Sequence, residues 1–258
     1  ETPSMQHRIF ATPWLHELQV RYPWACGYAV APLAFLFARA GNAPIFERLG
    51  YVCPISGDHA KAAIEAHRLG ATCAFVGHFV RRLCEVLFVQ DYTGSFARDS
   101  RLELIYYTVW GLLAGAAVAP AVLQRRGATL RPLRLLGLFL FLVGQAGNAW
   151  CHMELQRLRA EVGMLGKSHY IIPSAGPFSV VACPHYSFEL LTWLGYAMHS
   201  GFDAPSAILF AFSVGAMAPF ASDRHAKYVA LFKEQQSAWG GTTARNPAEL
   251  WKMVPGVW

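Results

Sequence analysis

The sequence predicts an all-α, polytopic membrane protein with about six transmembrane helices. Three observations carry that reading. Hydrophobic residues make up 54% of the chain and charged residues only 15%, against about 45–50% and about 25% in soluble domains. Seventeen Phe, ten Tyr and eight Trp add the aromatic load of chains that meet lipid and its interface. Six stretches approach the roughly 20 apolar residues that a spanning helix needs. The composition excludes a disordered chain, which is apolar-poor and highly charged, and argues against an ordinary soluble enzyme. The net charge of +6 arises from residues set between apolar runs rather than on one patch, so no nucleic-acid partner is expected.

Residues 1–23 read as an interfacial segment ending at the anchor Tyr22-Pro23-Trp24. They are not a signal peptide, because no apolar region follows a basic start. The chain begins at Glu1 rather than Met, so a preceding or processed piece is compatible with it. The transmembrane domain is expected over 24–221. Its spans run from about Trp24 to Ala38, Leu69 to Val89, Leu104 to Leu123, Leu133 to Met153, Pro177 to Met198 and Pro205 to Ala221. The third, fourth and sixth are the most apolar. The second and fifth carry polar groups that need protein neighbours. Residues 222–258 form a C-terminal tail. Lys and Arg number twelve on the side of the termini and of the loop after Met153, and eight on the other, with Arg81 and Arg82 inside a span. That excess places both termini on the inner side. Five of the six cysteines lie in or beside apolar stretches and read as buried thiols, with Cys53 in a loop.

Polar residues inside the spans carry the chemistry. A charge at the bilayer centre costs about 2.5–3.5 kcal/mol on insertion scales, so such residues face a cavity or a partner. In the second span His78, Arg82 and Glu85 share a helical face. They form either a cavity wall for a polar or anionic ligand, or an Arg81–Glu85 pair that clips helices together. At the end of the fourth span Asn148, His152, Gln156 and Arg159 recur as one polar stripe descending toward the inner loop. A phosphorylated cofactor entering from water suits that stripe; so does a helix interface bearing interhelical hydrogen bonds. In the fifth span Pro184 is expected to break a backbone bond where the helix lines a cavity. His185 and Glu189 share its face, and Tyr186 is placed to act as a general acid. No metal is expected, since no two of His78, His152, His185 and His225 stand at a close spacing.

His78 through Val89 resembles the second-helix signature of trans-2-enoyl-CoA reductases, which share a fold with steroid 5α-reductases. Tyr106-Tyr107, Gly147-Asn148 through His152 to Leu158-Arg159, Ile172-Pro173, Cys183-Pro184 through Glu189, and then His225, Tyr228 and Phe232 follow in the family's order. The resemblance covers about Phe46 to Phe232. It implies a steroid 5α-reductase-like helical bundle whose inner cavity holds NADPH, with substrate entering from the membrane. It further implies hydride delivery to the β-carbon of a long-chain enoyl-CoA and protonation of the α-carbon by Tyr186. Asn148, His152, Arg159, His185, Glu189, His225 and Tyr228 fall on the cofactor side, and His78, Arg82 and Glu85 on the cavity side. An endoplasmic-reticulum membrane is the address the resemblance implies, with the mitochondrial inner membrane as the alternative.

The sequence departs from the family at Gln156, Ile171 and His185, and in the stretch Gln235-Gln236-Ser237-Ala238-Trp239, where the family carries Arg, a basic residue, Asn and a Tyr-Pro-x-x-Arg run. Charge-assisted phosphate contacts are worth about 1.5–3 kcal/mol each. Two readings therefore stand side by side: an active NADPH-dependent reductase, or a catalytically lapsed homologue serving as an accessory subunit of a larger membrane complex. Trp239, Trp251 and Trp258 make the tail resemble a docking strap. A transporter is disfavoured, because no paired broken half-helices occupy matching positions.

Overall fold

Apolar chains in lipid satisfy their backbone polar groups within helices, and the described chain is helical with no β-strand beyond one isolated parallel bridge between Val181 and Trp251. The computed structural model describes residues 13–41, 58–89, 100–118, 131–164, 171–202, 204–239 and 246–256. Among the described residues six α-helices follow in order: α1 Pro13–Gly41, α2 Asp58–Cys84, α3 Ser100–Ala117, α4 Arg131–Met164, α5 Pro184–His199 and α6 Ala204–Trp239. A π-helical turn, Glu85–Val89, extends α2, and 3-10 turns occupy Gly176–Ser179 and Pro247–Glu249.

Each helix covers all or most of an expected span, and the differences are instructive. α1 starts at Pro13, inside the segment read as interfacial, and α6 runs on to Trp239 past the expected tail boundary at 222. The fifth span is not one continuous helix. Its first third is a 3-10 turn and an extended segment, and α5 begins with Pro184 at its first turn after Cys183. Proline at that position gives up only an N–H that has no intrahelical partner, so it starts this helix rather than breaking it. Among the described residues full spanning length is reached by two stretches, Pro132–Glu161 and Ala204–Ser237, while Ala25–Ala40 and Leu104–Ala116 are apolar but shorter. Only 22% of the most apolar window of each long stretch is buried. Their outward side chains include Phe139, Leu142, Ile208, Phe212 and Phe220. A soluble core helix would bury such residues, and lipid accommodates them.

The chain divides into two units, and the division falls within α2. The first comprises Glu1–Val52 and Phe75–Val122, the second Cys53–Ala74 and Leu123–Trp258. In the first unit α1 packs along α3. Gly111 and Gly115, one turn apart on α3, meet the carbonyl oxygens of Ala31 and Phe35 so closely that a Cβ at either position would lie 2.3 Å from them. Phe35 stacks on Phe75 at 4.6 Å between ring centroids, and Tyr28 meets Tyr107 at 5.1 Å.

In the second unit α4 packs along α5, and α5 against α6. The α4–α5 seam is again backbone-close. A Cβ at Gly144 would lie 2.6 Å from the Thr192 nitrogen and 2.8 Å from the Phe188 carbonyl oxygen, and one at Gly147 would enter the Phe188 ring. Ile172, Ala182, Cys183, Leu190, Ala221, Tyr228, Phe232 and Met253 form this unit's buried cluster. Of the cysteines, Cys151 and Cys183 are buried, but Cys26, Cys73 and Cys84 lie on outward helix faces, contrary to the expectation of buried thiols. Cys53 lies outside the described residues. Apolar sequence around a thiol does not reveal which side of the helix it occupies.

Gly144→Val is expected to lower stability by about 1–3 kcal/mol, the usual cost of overpacking. The check is thermal unfolding in detergent, where Gly201→Ala, a substitution into open space at a strained backbone position, serves for comparison. An unchanged melting temperature for Gly144→Val would contradict the backbone-close seam.

Candidate functional site

The second unit gathers the residues expected on the cofactor side around the seam of α4 and α5. Asn148 is almost wholly buried, and its Nδ2 donates to the carbonyl oxygen of His185 at 2.8 Å. That bond ties the first turn of α5 to α4. One turn along α4, buried His152 stands 6.1 Å from His185, ring centroid to ring centroid. The His185 ring in turn lies 4.1 Å from the Tyr186 ring, and Phe178, from the 3-10 turn, lies 6.4 Å from the His185 ring. Along α4 the stripe runs from buried Asn148 and His152 through half-buried Gln156 to exposed Arg159. Neighbouring Arg157 does not belong to it: its guanidinium is engaged by Glu154 at 2.8 Å and Glu161 at 3.2 Å.

Glu189 is half-buried and its Oε1 accepts from the indole N–H of Trp193 at 3.2 Å. Tyr228 is buried in the apolar cluster. His225 contacts the C-terminal segment: its Nε2 lies 2.9 Å from the Pro247 carbonyl oxygen. A carbonyl only accepts, so that nitrogen carries the proton in this contact.

The end of the tail, expected to resemble a docking strap, is described over residues 246–256, where it docks on its own chain. Residues 246–256 fold back onto their own unit as a strap. Ala182 N–H donates to the Trp251 carbonyl at 2.7 Å and Cys183 N–H to the Lys252 carbonyl at 3.0 Å, while the Ser187 hydroxyl bonds the Met253 carbonyl. Met253 is buried and Trp251 remains exposed. The strap therefore pins the extended residues leading into α5 and the first turn of that helix. Its sequence signal is Asn246-Pro247, a turn opener in which the Asn246 side chain accepts from the Ala248 N–H at 3.0 Å.

The residues expected on the cavity side lie in the first unit. Glu85 is buried at the start of the π turn and pairs with both Arg81 and Arg82. The Arg82 NH2 group also donates to the Tyr28 hydroxyl at 3.0 Å, with its guanidinium 5.1 Å above that ring. His78 is buried against Phe79 at 4.9 Å. The Arg81–Glu85 pair is thus present, and Arg82 widens it into a three-charge cluster anchored to α1. Among the described residues no group of three or more His, Cys, Asp or Glu side chains is arranged to hold a metal.

The sequence model of the 3-oxo-5-alpha-steroid 4-dehydrogenase family matches residues 99–238, more than half of the chain. The chain belongs to that family. Among curated relatives, a very-long-chain enoyl-CoA reductase of Dictyostelium discoideum is 29% identical over 47% of this chain and 39% of its own. A steroid 5-alpha-reductase of Arabidopsis thaliana is 32% identical over 39% of this chain and 37% of its own. Polyprenal reductase 1 of the same plant is 27% identical over 60% of this chain and 58% of its own. The chain thus spans between 37% and 58% of these relatives. As a member of this steroid 4-dehydrogenase family it stands beside reductases of three substrate classes, and its second unit contains most of the matched region.

Asn148→Ala is expected to cost about 0.5–1.5 kcal/mol, because it removes a buried hydrogen bond between α4 and α5. Chemical unfolding monitored by tryptophan emission measures it, and a loss below 0.5 kcal/mol, about the floor for a net hydrogen bond, would deny the bond its anchoring role.

Proposed function

We propose that this chain is an NADPH-dependent membrane reductase that saturates the 2,3 double bond of a long-chain enoyl thioester. The observation that carries the reading is the convergence of His152, His185 and Tyr186 at the strap-pinned start of α5, in a family whose relatives include a very-long-chain enoyl-CoA reductase. An endoplasmic-reticulum membrane is the compartment this reading favours.

The α4 stripe fits an elongated cofactor with a charged end. Its buried part offers the Asn148 amide and the His152 imidazole, and its exposed part offers the Arg159 guanidinium. Asn148, His152 and Arg159 would hold the group, with Glu189 and His225 flanking it. When bound, NADPH supplies a hydride for the β-carbon. The protein's own part is acid chemistry. Addition at the β-carbon leaves negative charge on the α-carbon and the thioester oxygen, and the Tyr186 hydroxyl supplies the proton that forms the new α C–H bond. A half-buried phenol at the start of a helix suits that task, since the positive end of the helix dipole favours the tyrosinate left behind.

Energy transfer from tryptophan to NADPH in detergent-purified protein tests the cofactor, and turnover of a long-chain enoyl-CoA tests the reaction. Tyr186→Phe is expected to lower kcat by about 10²–10⁴-fold, the usual worth of a general acid, with NADPH affinity within twofold of wild type. Folded wild-type protein that binds no NADPH at millimolar concentration would instead favour a lapsed family member serving as an accessory subunit.

A further inference from the structure

We infer that His185 is the proton source behind Tyr186: a positioning and proton-supplying residue that recharges the tyrosine hydroxyl and is itself recharged from the His152 end of the α4 stripe. The inference rests on the reading of Tyr186 as proton donor.

Consecutive residues on a helix diverge by about 100° around the axis and do not ordinarily face each other. His185 and Tyr186 nevertheless bring their ring centroids to 4.1 Å with 46° between the ring planes. The helix start makes this possible. Pro184 fixes the first turn, Asn148 holds the His185 carbonyl from α4, and the Ser187 hydroxyl is tied to the strap at Met253. Phe178 bounds the His185 ring from the 3-10 turn at 6.4 Å, leaving His152 as the titratable ring on the α4 side, at 6.1 Å. On α5 itself, Glu189 lies one turn further on the same face, with a carboxylate oxygen bonded to Trp193. Among the described residues the titratable groups facing His185 include Tyr186 and His152, Glu189 follows one turn on, and Tyr186 itself packs against the cluster that holds Cys183 and, on α6, Tyr228.

The chemistry follows from the proton inventory. A tyrosine that gives its proton to carbon becomes a phenolate, and a phenol with an ordinary pKa near 10 must recover a proton before the next turnover. Imidazole is the side chain that exchanges protons near neutral pH. In its protonated form His185 gives up an N–H proton as the Tyr186 O–H bond re-forms, and the neutral imidazole left behind then takes one proton from water by way of His152, at the buried end of a stripe whose other end, Arg159, is exposed. One solvent proton is consumed per reduction and no electron moves through the pair. His152 is buried and Arg159 exposed on the same stripe, so the path has an aqueous end. The gap between the two imidazoles is of the size that one water or a ring rotation spans.

The test does not require turnover. Full-length protein carrying ¹³Cζ-labelled tyrosine, reconstituted in lipid nanodiscs, is titrated by NMR, and the Tyr186 resonance is assigned by its loss in Tyr186→Phe. In wild type that resonance is expected to move in two steps, the first in the range where an imidazole titrates. The first step is expected to disappear in both His185→Asn and His185→Gln, and its midpoint to shift by at least 0.3 pH unit in His152→Asn. A single step in wild type, or a first step that survives both His185 substitutions, overturns the inference. A two-step titration in protein that neither binds NADPH nor reduces enoyl-CoA would uphold the His185–Tyr186 coupling while overturning the reductase reading. Where turnover is present, His185→Asn is expected to lower kcat at least tenfold, enlarge the solvent deuterium isotope effect and leave KM within twofold. Loss of activity with an unchanged isotope effect would mark a merely structural role.

Discussion

Close approach of helix backbones is the constraint on which this structure depends. Within lipid, apolar side chains gain little by leaving one hydrocarbon surface for another, so helices associate through packing and interhelical hydrogen bonds. Both units solve the problem in the same way. Gly111 and Gly115 put the α3 backbone against the carbonyls of Ala31 and Phe35, and Gly144 and Gly147 put α4 against the backbone of Thr192 and the ring of Phe188. Such a seam tolerates no added methyl group. It also fixes rotation about each helix axis, because only one face of each helix is small enough to enter.

That fixed rotation is what turns a sequence stripe into a site. With Gly144 and Gly147 facing α5, Asn148 must face it as well, and its amide reaches the His185 carbonyl. His152, one turn further, then faces the His185 ring. The strap completes the arrangement from the other side by hydrogen bonding Ala182, Cys183 and Ser187. The start of α5 is therefore held by α4, by the strap and by its own proline. A general acid needs such fixity, since its proton must lie where charge develops rather than sample several rotamers.

Much of the fold was legible in the sequence, because length and apolarity report helices directly. The apolar stretches found α1 to α4 and α6, although their ends moved, and the polar stripe of α4 follows from spacing alone. The fifth stretch was misread for a physical reason. Proline is a breaker or a starter according to its place, and the apolar residues on both sides of Pro184 conceal that Pro177 to Cys183 are a 3-10 turn and an extended lead-in. The small-residue seam, Gly111-x-x-x-Gly115, was present in the sequence as a packing signal and went unread. Exposure of Cys26, Cys73 and Cys84 was not legible, since it depends on which helix face meets a neighbour. The tail read as a docking strap, but its seat at the start of α5 was not legible, because the bonds made there, such as Ser187 to Met253, join residues more than sixty positions apart.

The two polar clusters solve the electrostatics of an apolar surrounding in opposite ways. In the first unit Glu85 is shared by Arg81 and Arg82, and the remaining guanidinium charge is spread over the Tyr28 hydroxyl and ring. Every charge there has a counter-charge or a π face, and this favours clamping of α1 to α2 over exchange with solvent. Along the α4–α5 seam of the second unit the buried polar groups include Asn148, His152 and His185, and the formal charge of Arg159 lies at the exposed end of the stripe. The imidazoles of His152 and His185 can take up or release a proton, whereas the Arg–Glu cluster holds its charges fixed. The first cluster therefore resists change, in keeping with the proposal that the acid chemistry belongs to α4 and α5.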